Sequence, residues 1–447
     1  MSRKRKHRHR QRRVDFNEFF TTEVTDLNHE GRGVARIDGK VVFLRNALPG
    51  ETVEFHYTRK HNSHDEGTAI KIIKPSPDRI EPKCQVTARC GGCSLQHLAH
   101  DKQIDFKQNT FNELLNQANI IPTEMAPALL GNSFNYRRKA RMSARYVAGK
   151  GDPLVGFREQ NGRYITDMHA CPILSEPFGS GIQMLRALLL KLDCKAEVPQ
   201  IEITVTDNNA AMIIRHMCEL TDNDKAHLMS FGEKNNIIIF LQPKGYDSIH
   251  QFYPGEKIEL SYPLDDFNLV MTLKPDQFMQ VNRDINAKML TQAIRWLELT
   301  DQDSVLDLFC GIGNFSLPIA KTAKHVTGVE ADDSAVMQAS HNAKLNQLTN
   351  TDFYSCNLFE KKDIEKSAWI SNSYNKLLLD PPRSGAIEII EYFAKTTFDS
   401  IVYVSCNPAT FCRDAAILIE QGYKLERAGI MDMFPHTQHL EVMGLFK

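Results

Sequence analysis

The 447-residue sequence contains no run of about 18 consecutive apolar residues, so it predicts no membrane-spanning helix. Its first residues, MSRKRKHRHRQRR, lead into no apolar segment, so we expect no secretory signal and a cytoplasmic protein without a membrane partner. Glycine (24) and proline (19) are too few for collagen or wholesale disorder, and 42% of the residues are apolar. At about 150 residues per domain, the length indicates two to four globular domains, which we expect to form a monomer.

Positive charge is concentrated at the N-terminus, although the whole chain has a net charge of −1. Residues 1–13 contain eight Lys or Arg and no acidic residue, which leaves −9 for the rest of the chain. Such a segment cannot bury apolar surface, so we expect a disordered tail that binds the phosphates of a polyanion. A solvated tail that only improves solubility is the alternative.

Residues 14–74 contain short β-rich runs separated by turn signals. Five strands at this spacing predict a small closed barrel, with positive φ angles at Gly31, Gly33 and Gly39. The segment HEGRGVARIDGKVVFLRNALPGETVEF resembles a TRAM domain, which implies an OB-like barrel that binds RNA. A β-barrel without a ligand is the alternative.

Residues 75–277 are expected to form a central α+β domain. Apolar spacing predicts a helix over 101–120, and the alternating runs IEITVTD, AMIIRHM and NIIIFLQP predict an antiparallel sheet. The run FNYRRKARMSARY suits phosphate contacts and base stacking, because it places cations between Tyr136 and Tyr146. A solvated charged strand is an equally good interpretation of these cations, which are Arg137, Arg138, Lys139 and Arg141.

Four cysteines of this central region are clustered in sequence or followed by proline. They form the pattern Cys84-x5-Cys90-x2-Cys93, with the remote Cys171-Pro. A reducing compartment disfavours disulfides, so these cysteines are candidate ligands of zinc or of an iron-sulfur cluster. The spacing differs from the C-x2-4-C pairs of common zinc sites and from the C-x3-C-x2-C loop of radical enzymes. The isolated cysteines are expected in the core, and they are Cys194, Cys218, Cys310 and Cys356.

Residues 278–447 contain short apolar runs that alternate with helical patterns. Helices are predicted at 314–323, 333–346, 386–396 and 409–420. This alternation predicts a mostly parallel, doubly wound sheet. The last two runs have no helix between them, so they predict an antiparallel hairpin at the edge of the sheet.

A glycine-containing turn, Cys310-Gly-Ile-Gly-Asn314, follows the strand VLDLF. Sheets of this type bind ligands at the carboxyl ends of their strands, and Glu330 at the end of the next strand is placed to accept ribose hydroxyls. The dinucleotide pattern G-x-G-x-x-G lacks its third glycine here, and the G-K-[ST] ending of a phosphate loop is absent. A purely structural turn therefore remains the alternative.

Two further strands end in residues suited to chemistry. LLLDPPRSG places Asp380 after one strand, and VYVSCNPATFCRD places Cys406 after the next. The strand ends should converge on one crevice with Glu330. A loop position favours a functional cysteine, whereas the competing Cys412 lies inside a predicted helix and is expected to be a packing residue.

The segments DLFCGIGNFSLPIA, VEADDSAVMQASHNAKLN, LLLDPPRSG and YVSCNPATFCRD together resemble the S-adenosylmethionine-dependent RNA uracil-C5 methyltransferases, over about residues 275–447. The resemblance implies a C-terminal Rossmann-like class I methyltransferase domain. The generic methyltransferase turn has three glycines, and the replacement of the first, here by Phe309, is typical of this family. The resemblance also implies Cys406 as nucleophile and Glu441 as base. Six residues are implied to contact S-adenosyl-L-methionine: Gln280, Phe309, Asn314, Glu330, Asn357 and Asp380.

The proposed reaction explains these residue types independently. Uracil C5 is not nucleophilic enough to take a methyl group, but a thiolate that adds at C6 converts the ring into an enolate that can. After methylation C5 still holds its proton, so a carboxylate must remove it before the thiolate can leave.

The resemblance further implies a [4Fe-4S] cluster on Cys84, Cys90, Cys93 and Cys171. Barrel, cluster and methyltransferase domain together are typical of family members that modify 23S rRNA, at position 1939 in standard rRNA numbering, although the residues alone do not specify the nucleotide. The alternatives are another RNA such as the tRNA T-loop, or a non-catalytic iron-sulfur RNA-binding protein. An amino-methyltransferase of the D-P-P-[YFW] type would need an aromatic residue where Arg383 stands.

Overall fold

The computed structural model describes residues 18–160, 162–394 and 396–447. The chain divides into two compact units, the first ending at Asp105 and including His436–Gln438, the second containing Phe106–Pro435 and His439–Lys447. The predicted boundaries at residues 74 and 277 do not coincide with this division. The predicted basic tail, residues 1–13, lies outside the described residues.

The first unit contains a six-stranded sheet with the strand order β1-β5-β6-β4-β3-β2. The sequence predicted five strands, but the first run forms two, on either side of Val24. The Val24 amide donates to the carbonyl of Glu51, and the Thr25 amide donates to that of Val34. One run therefore pairs with both ends of the sheet, which closes the barrel. The strands are β1 (Phe20–Glu23), β2 (Asp26–Leu27), β3 (Gly33–Ile37), β4 (Lys40–Arg45), β5 (Thr52–Lys60) and β6 (His64–Lys74).

The three glycines predicted to have positive φ angles differ. Gly31 and Gly39 have φ angles of 69° and 80°, as predicted. The prediction for Gly33 is wrong, because this residue belongs to an extended strand. A Cβ at Gly33 would lie 2.7 Å from a methyl carbon of Val24, so close packing is what requires glycine there.

The first part of the second unit contains a six-stranded sheet with the order β13-β12-β11-β10-β8-β9. The prediction of an antiparallel sheet is wrong for one pair, since β11 and β12 are parallel. Helix α3 connects them, which agrees with the crossover that a parallel pair requires. The elements are α1 (His100–Gln117, which begins in the first unit), β7 (Glu124–Met125), β8 (Lys139–Val147), β9 (Asp152–Gly156), α2 (Ile182–Lys191), β10 (Gln200–Val205), β11 (Ala210–Arg215), α3 (Asp222–Asn235), β12 (Ile237–Gln242), β13 (His250–Tyr253), β14 (Leu260–Leu264) and β15 (Leu269–Leu273).

An eight-stranded sheet with the order β18-β17-β16-β19-β20-β22-β21-β7 forms the rest of this unit. Its first five strands are parallel, which confirms the doubly wound prediction. The antiparallel hairpin β21–β22 is not at the edge as predicted, because β7 pairs with β21 outside it. The elements are α4 (Arg283–Leu297), β16 (Ser304–Leu308), α5 (Ser316–Ala320), β17 (His325–Glu330), α6 (Asp333–Leu345), β18 (Thr351–Ser355), α7 (Lys361–Lys366), β19 (Lys376–Leu379), α8 (Ile387–Tyr392), β20 (Ser400–Ser405), α9 (Pro408–Glu420), β21 (Leu425–Met431) and β22 (Glu441–Phe446).

Buried strands and helix faces form the core of the second unit, and both tryptophans of the chain, Trp296 and Trp369, are buried there. Helices α5 and α8 are shorter than predicted, chiefly because they end at Ala320 and Tyr392 and not at residues 323 and 396. Among the described residues, no helix is both long and apolar enough to cross a bilayer.

Candidate active site

A cleft of about 590 Å³ opens at the carboxyl ends of the parallel strands of the eight-stranded sheet. Strand β22 runs antiparallel to β20, so its first residue reaches the same end. The structure therefore brings together residues that are far apart in sequence. Seven of the predicted site residues line this cleft: Gln280, Phe309, Asn314, Glu330, Asp380, Cys406 and Glu441.

Asn357 is the predicted cofactor contact that does not line the cleft, although its neighbours Cys356 and Leu358 do. Its side chain is exposed, and its Oδ1 accepts a hydrogen bond from the Phe359 amide at 3.1 Å. This contact shapes the turn after β18 at the rim of the cleft.

The turn after β16 has three residues with left-handed backbone conformations. Phe309, Gly311 and Gly313 have φ angles of 65°, 54° and 91°. Glycine adopts this region without cost, whereas phenylalanine is strained there. The strain places the Phe309 ring in the cleft, 5.7 Å from the ring of Phe359. The departure from the three-glycine pattern thus supplies an aromatic wall.

Glu330 is the last residue of β17, and backbone amides hold its carboxylate in place. Oε2 accepts from the Gly311 amide at 3.2 Å, while Oε1 accepts from Ala331 at 2.7 Å and Asp332 at 3.2 Å. The carboxylate is therefore fixed beside the glycine turn, where it can accept hydroxyl groups of a ribose.

Asp307 lies in β16 beneath the same turn, and the sequence analysis did not identify it. Its side chain is fully buried and accepts a hydrogen bond from the Ser316 hydroxyl. Burial raises the pKa of Asp307 to about 7, and the charges of Asp380 and Glu330 raise it further. The spacing of Asp307 and Ser316 matches no motif. The sequence signal that could have identified Asp307 is an acidic residue inside an apolar strand.

Asp380 directly follows β19, and Pro381 and Pro382 restrict the chain after it. Burial raises the pKa of Asp380 to about 7, with a further contribution from Glu330. The next residue, Arg383, is joined to the Cys406 loop because its carbonyl accepts from Asn407 Nδ2 at 3.0 Å. The loops after β19 and β20 thus form one wall of the cleft.

Cys406 follows β20 immediately before helix α9 and is partly exposed to the cleft. Asn407 caps the helix by accepting from the Ala409 amide, and Pro408 begins it, so the cysteine has a fixed position. Burial raises the pKa of the Cys406 thiol, as do the charges of Glu441 and Asp380, whereas Arg383 lowers it. Ionisation of this thiol therefore depends on the balance of charge around it.

Glu441 begins β22 opposite Met431 of β21 and is 7% exposed. Burial raises the pKa of Glu441 to about 8, Asp380 raises it further, and Lys107 lowers it. A carboxyl group that exchanges its proton near neutral pH is suited to general acid-base chemistry. Its position in the same cleft as Cys406 is consistent with the predicted role.

One aromatic side chain that the sequence analysis did not assign, Phe278, also lines the cleft. Phe278 is 72% exposed at its mouth, although a ring of that size is normally buried. On the inner side, Asn314 and Asn286 exchange two side-chain hydrogen bonds of 2.9 and 3.2 Å. The sequence signal for Phe278 was an aromatic residue two positions before Gln280 in the run QFMQVN.

Three cations of the run FNYRRKARMSARY have partners inside the protein, and contacts of this run with RNA phosphates stay a prediction. Arg138 pairs with Asp207 at 2.7 Å, and Arg141 pairs with Glu202 at 2.9 Å. Lys139 donates to the carbonyl of Pro275 at 2.8 Å, and burial lowers its pKa to about 8.

Three of the predicted cluster ligands, Cys84, Cys90 and Cys93, lie on one loop of the first unit with buried side chains. The Gly92 amide donates to Sγ of Cys90 at 3.4 Å, and Gln96 Nε2 donates to Sγ of Cys93 at 3.2 Å. Such donors stabilise thiolates and tune iron-sulfur clusters. Cys171 is buried in the second unit, so its membership of this ligand set remains a prediction.

One group of three possible metal ligands within 4.8 Å of one another occurs in the described parts of the chain, and it consists of His61, His64 and Glu66. Its carboxylate already forms ion pairs, since Glu66 lies 3.5 Å from both Arg32 and His61. These ion pairs account for the group without a metal.

Comparisons with known proteins agree with this geometry. The family model for tRNA (Uracil-5-)-methyltransferase matches residues 251–447, and the TRAM domain model matches residues 18–58. The 23S rRNA (uracil(1939)-C(5))-methyltransferase RlmD of Hahella chejuensis is 45% identical over 435 residues, which cover 96% of this chain and 97% of that protein. The protein of the same name from Legionella pneumophila (strain Paris) is 45% identical over 431 residues, with the same coverage of both chains.

A solved structure has the same fold at low sequence identity. The crystal structure of Pyrococcus abyssi tRNA (uracil-54, C5)-methyltransferase in complex with S-adenosyl-L-homocysteine matches with a TM-score of 0.73 and 22% identity. The match covers 96% of this chain and all of that chain. It supports the assignment of the eight-stranded sheet as a Rossmann-like methyltransferase fold.

Proposed function

Because the chain belongs to the family of the RlmD 23S rRNA (uracil-C5)-methyltransferases, we propose that it transfers a methyl group from S-adenosyl-L-methionine to C5 of a uridine in 23S rRNA. The target we propose is the uridine at position 1939, as in the names of its relatives. The observation that carries the proposal is that Cys406, Asp380 and Glu441 line one cleft together with the glycine turn.

The proposed reaction begins when the Cys406 thiolate adds to C6 of the uracil ring, and the electrons of the broken C5–C6 π bond form an enolate across C4 and C5. C5 then takes the methyl group of S-adenosyl-L-methionine as the S–CH3 bond breaks, and S-adenosyl-L-homocysteine leaves. Glu441 then accepts the C5 proton, and the electrons of that C–H bond restore the C5–C6 double bond as the C6–S bond breaks. Cys406 leaves as a thiolate, so the enzyme regains its nucleophile.

The cleft suits the methyl donor for two reasons. Glu330 offers a fixed carboxylate for a ribose, and Phe309 offers an aromatic face for an adenine ring. In addition, burial raises the pKa values of Asp307 and Asp380 to about 7, and the negative charge of Glu330 raises both further. A positively charged sulfonium would stabilise their carboxylates, which is the charge complementarity that this donor requires.

The thiol needs help to ionise, since two carboxyl groups raise its pKa. Arg383 is the cation that opposes them, and its link to Asn407 keeps it beside the nucleophile. This cation favours the thiolate form of Cys406.

We further propose that Cys84, Cys90, Cys93 and Cys171 hold a [4Fe-4S] cluster. The N–H donors at Cys90 and Cys93 would stabilise thiolates that bind such a cluster. Anaerobically purified protein should be brown and contain iron, whereas stoichiometric zinc without iron would contradict this assignment.

The barrel of the first unit is proposed to bind the RNA, as TRAM domains are expected to do. We also propose that the protein acts in the cytoplasm as a monomer. Uracil-C5 methylation of a tRNA is the competing function, and incubation with unmodified 23S rRNA and unmodified tRNA in parallel distinguishes the two. Methylation of tRNA alone would contradict the proposed substrate.

The covalent mechanism is tested with two variants, radiolabelled methyl donor and unmodified 23S rRNA. Cys406→Ala should neither methylate the RNA nor form a covalent bond to it, because it lacks the nucleophile. In Glu441→Gln, the Cys406 thiolate should still add to C6 and C5 should still be methylated, but the C6–S bond should not break. This leaves a labelled protein–RNA band on a denaturing gel. Methylation by Cys406→Ala would refute the nucleophile assignment, and normal turnover by Glu441→Gln would refute the base.

A further inference from the structure

Lys107 and Asp432 form a fully buried ion pair in the second unit. The distance between Lys107 Nζ and Asp432 Oδ1 is 2.6 Å, and both side chains are 0% exposed. The same ammonium group donates to the carbonyl of Phe434 at 3.1 Å. Lys107 lies in helix α1, whereas both partners lie in the segment that joins β21 to β22. Two hydrogen bonds thus hold one cation inside the protein.

The ion pair lies close to the proposed base. Asp432 follows Met431, and Met431 is the register partner of Glu441 across the β21–β22 hairpin. Lys107 is the cation that lowers the pKa of Glu441. Burial lowers the pKa of Lys107 itself, whereas the charges of Asp432 and Glu441 raise it. This electrostatic interaction and the hairpin register together place the ammonium group near the base.

Other charged groups act on Glu441 from the neighbouring elements. Asp380, after β19, raises the pKa of Glu441, and Cys406, after β20, interacts with it through its own thiolate. Arg383 lowers the pKa of the Cys406 thiol, and its guanidinium lies 3.3 Å from His439 Nδ1 in the same hairpin segment. Lys107 is therefore the positive charge that offsets Asp380 at the base itself.

Stability alone is a weak reason for such a pair. Removal of two charges from water costs several kcal/mol per ion, and apolar replacements of a buried pair are often neutral or stabilising. A helix and a hairpin could be packed together with leucine and methionine at these positions. The charge of Lys107 is better explained by what it does to its neighbour.

We propose that Lys107 is a positioning residue for proton abstraction, and that its ammonium group, held by Asp432 and Phe434, keeps the Glu441 carboxylate ionised when the C5 proton must be removed. The inference rests on the proposed function, because it takes Glu441 as the base. The proton moves from C5 to Glu441, the C6–S bond to Cys406 breaks, and Lys107 keeps its own proton throughout.

The test measures how fast a preformed methylated adduct releases its RNA at different pH values. The double variant Lys107→Met/Asp432→Leu removes both charges and keeps the site apolar. We expect it to form the labelled adduct at the wild-type rate but to release it about tenfold more slowly at pH 7, equivalent to a rise of one unit in the pKa of the base. Release should recover as the pH is raised, because Glu441 then ionises.

Two single variants serve as controls. Lys107→Arg keeps the cation and should release the adduct with the wild-type pH profile. Lys107→Gln keeps hydrogen-bond donors for Asp432 and Phe434 but loses the charge, so it should shift the profile as the double variant does. It also keeps the test decisive should the double variant fail to fold.

The outcomes separate this inference from the proposed function. Normal release by Glu441→Gln would show that Glu441 is not the base, and the proposed function would fail together with the inference. A trapped adduct in Glu441→Gln, combined with wild-type release profiles in the Lys107→Gln and double variants, would overturn the role of Lys107 alone.

Discussion

The two halves of the eight-stranded sheet hold their acidic residues in different ways. In the parallel half, Asp307, Glu330 and Asp380 gather near strand ends, where a hydroxyl group donates to Asp307 and backbone amides donate to Glu330. In the antiparallel half, Asp432 and Glu441 share the hairpin β21–β22 with a buried lysine. Burial and neighbouring carboxylates raise the pKa values of Asp307 and Asp380, whereas Lys107 lowers that of Glu441.

This difference matches the order of the proposed reaction. In the proposed reaction, the parallel half binds a cationic methyl donor. The negative carboxylates of this half favour binding of the donor, whose positive charge offsets theirs. The antiparallel half must supply a base after the donor has lost its charge in the methyl transfer. A cation built into the protein is then the available means to keep a carboxylate ionised.

Among the substitutions that test this comparison, Asp380→Asn should change the methylation rate most. The variant loses a negative charge next to the donor, so we expect methylation to fall by about a hundredfold, the usual cost of one preorganised electrostatic contact. The pKa of the Cys406 thiol should nevertheless fall, because Asp380 raises it. The rate of iodoacetamide alkylation of Cys406 against pH measures that shift.

Asp301→Asn is a suitable control for Asp380→Asn, since Asp301 is exposed and does not line the cleft. It should change neither the methylation rate nor the alkylation profile. An Asp380→Asn variant with normal methylation would show that the parallel half does not use this charge for the donor.

The antiparallel half should reveal its base through the pH dependence of stability. The pKa of Glu441 in the folded state, about 8, lies above its ordinary value of 4.5, so burial favours the neutral form. The contribution of neutral Glu441 to the free energy of unfolding is complete below about pH 4.5 and is lost as the pH rises through 8. The loss is of the order of a few kcal/mol. Glu441→Gln should remove this loss.

Urea unfolding followed by tryptophan fluorescence can measure the effect, because Trp296 and Trp369 are the two tryptophans of the chain and both lie in the second unit. Relative to the wild type, Glu441→Gln should be more stable at pH 8.5 than at pH 5. An equal difference at both pH values would show that Glu441 titrates normally.

The parallel half was more predictable from sequence than the antiparallel half. Alternation of strands and helices indicated where the strands end, so Glu330, Asp380 and Cys406 could be assigned to one crevice from local pattern. Glu441 was assigned only through a family resemblance, since an acid at the start of a last strand has no distinctive neighbours. Physical rules about strand ends apply to a local segment, which is why they succeeded there.

Interactions between distant segments could not be predicted. Lys107 and Asp432 are separated by 325 residues, and nothing near either residue indicates the other. The cations Arg138 and Arg141 suggested RNA contacts because their partners, Asp207 and Glu202, follow 69 and 61 residues later. A charged run therefore has two interpretations until the folded structure shows which acids reach it.

A smaller effect is expected from Phe309→Gly in the turn of the parallel half. The substitution relieves about 1 kcal/mol of backbone strain at a φ angle of 65° but removes the aromatic wall of the cleft. We expect little change in stability and roughly tenfold weaker binding of the methyl donor, measured by calorimetry. Gly311→Ala is the matched control, because it adds similar strain at a φ angle of 54° in open space. Equal donor affinity in wild type and Phe309→Gly would show that the ring has no part in binding.

The smallest effect should come from Cys412→Ala, which separates the nucleophile from the cysteine six residues after it. Cys412 is 4% exposed within helix α9, and burial raises its pKa to about 11. Its thiol is therefore neutral at physiological pH and unable to attack uracil. We expect full methylation, a normal adduct in the Glu441→Gln background and a stability loss of about 1 kcal/mol. Mass spectrometry of alkylated peptides should find the label on Cys406 in both proteins. Loss of the adduct in Cys412→Ala, with the fold intact, would show that Cys412 is the nucleophile. The assignment of Cys406, which follows β20, to that role would then be wrong.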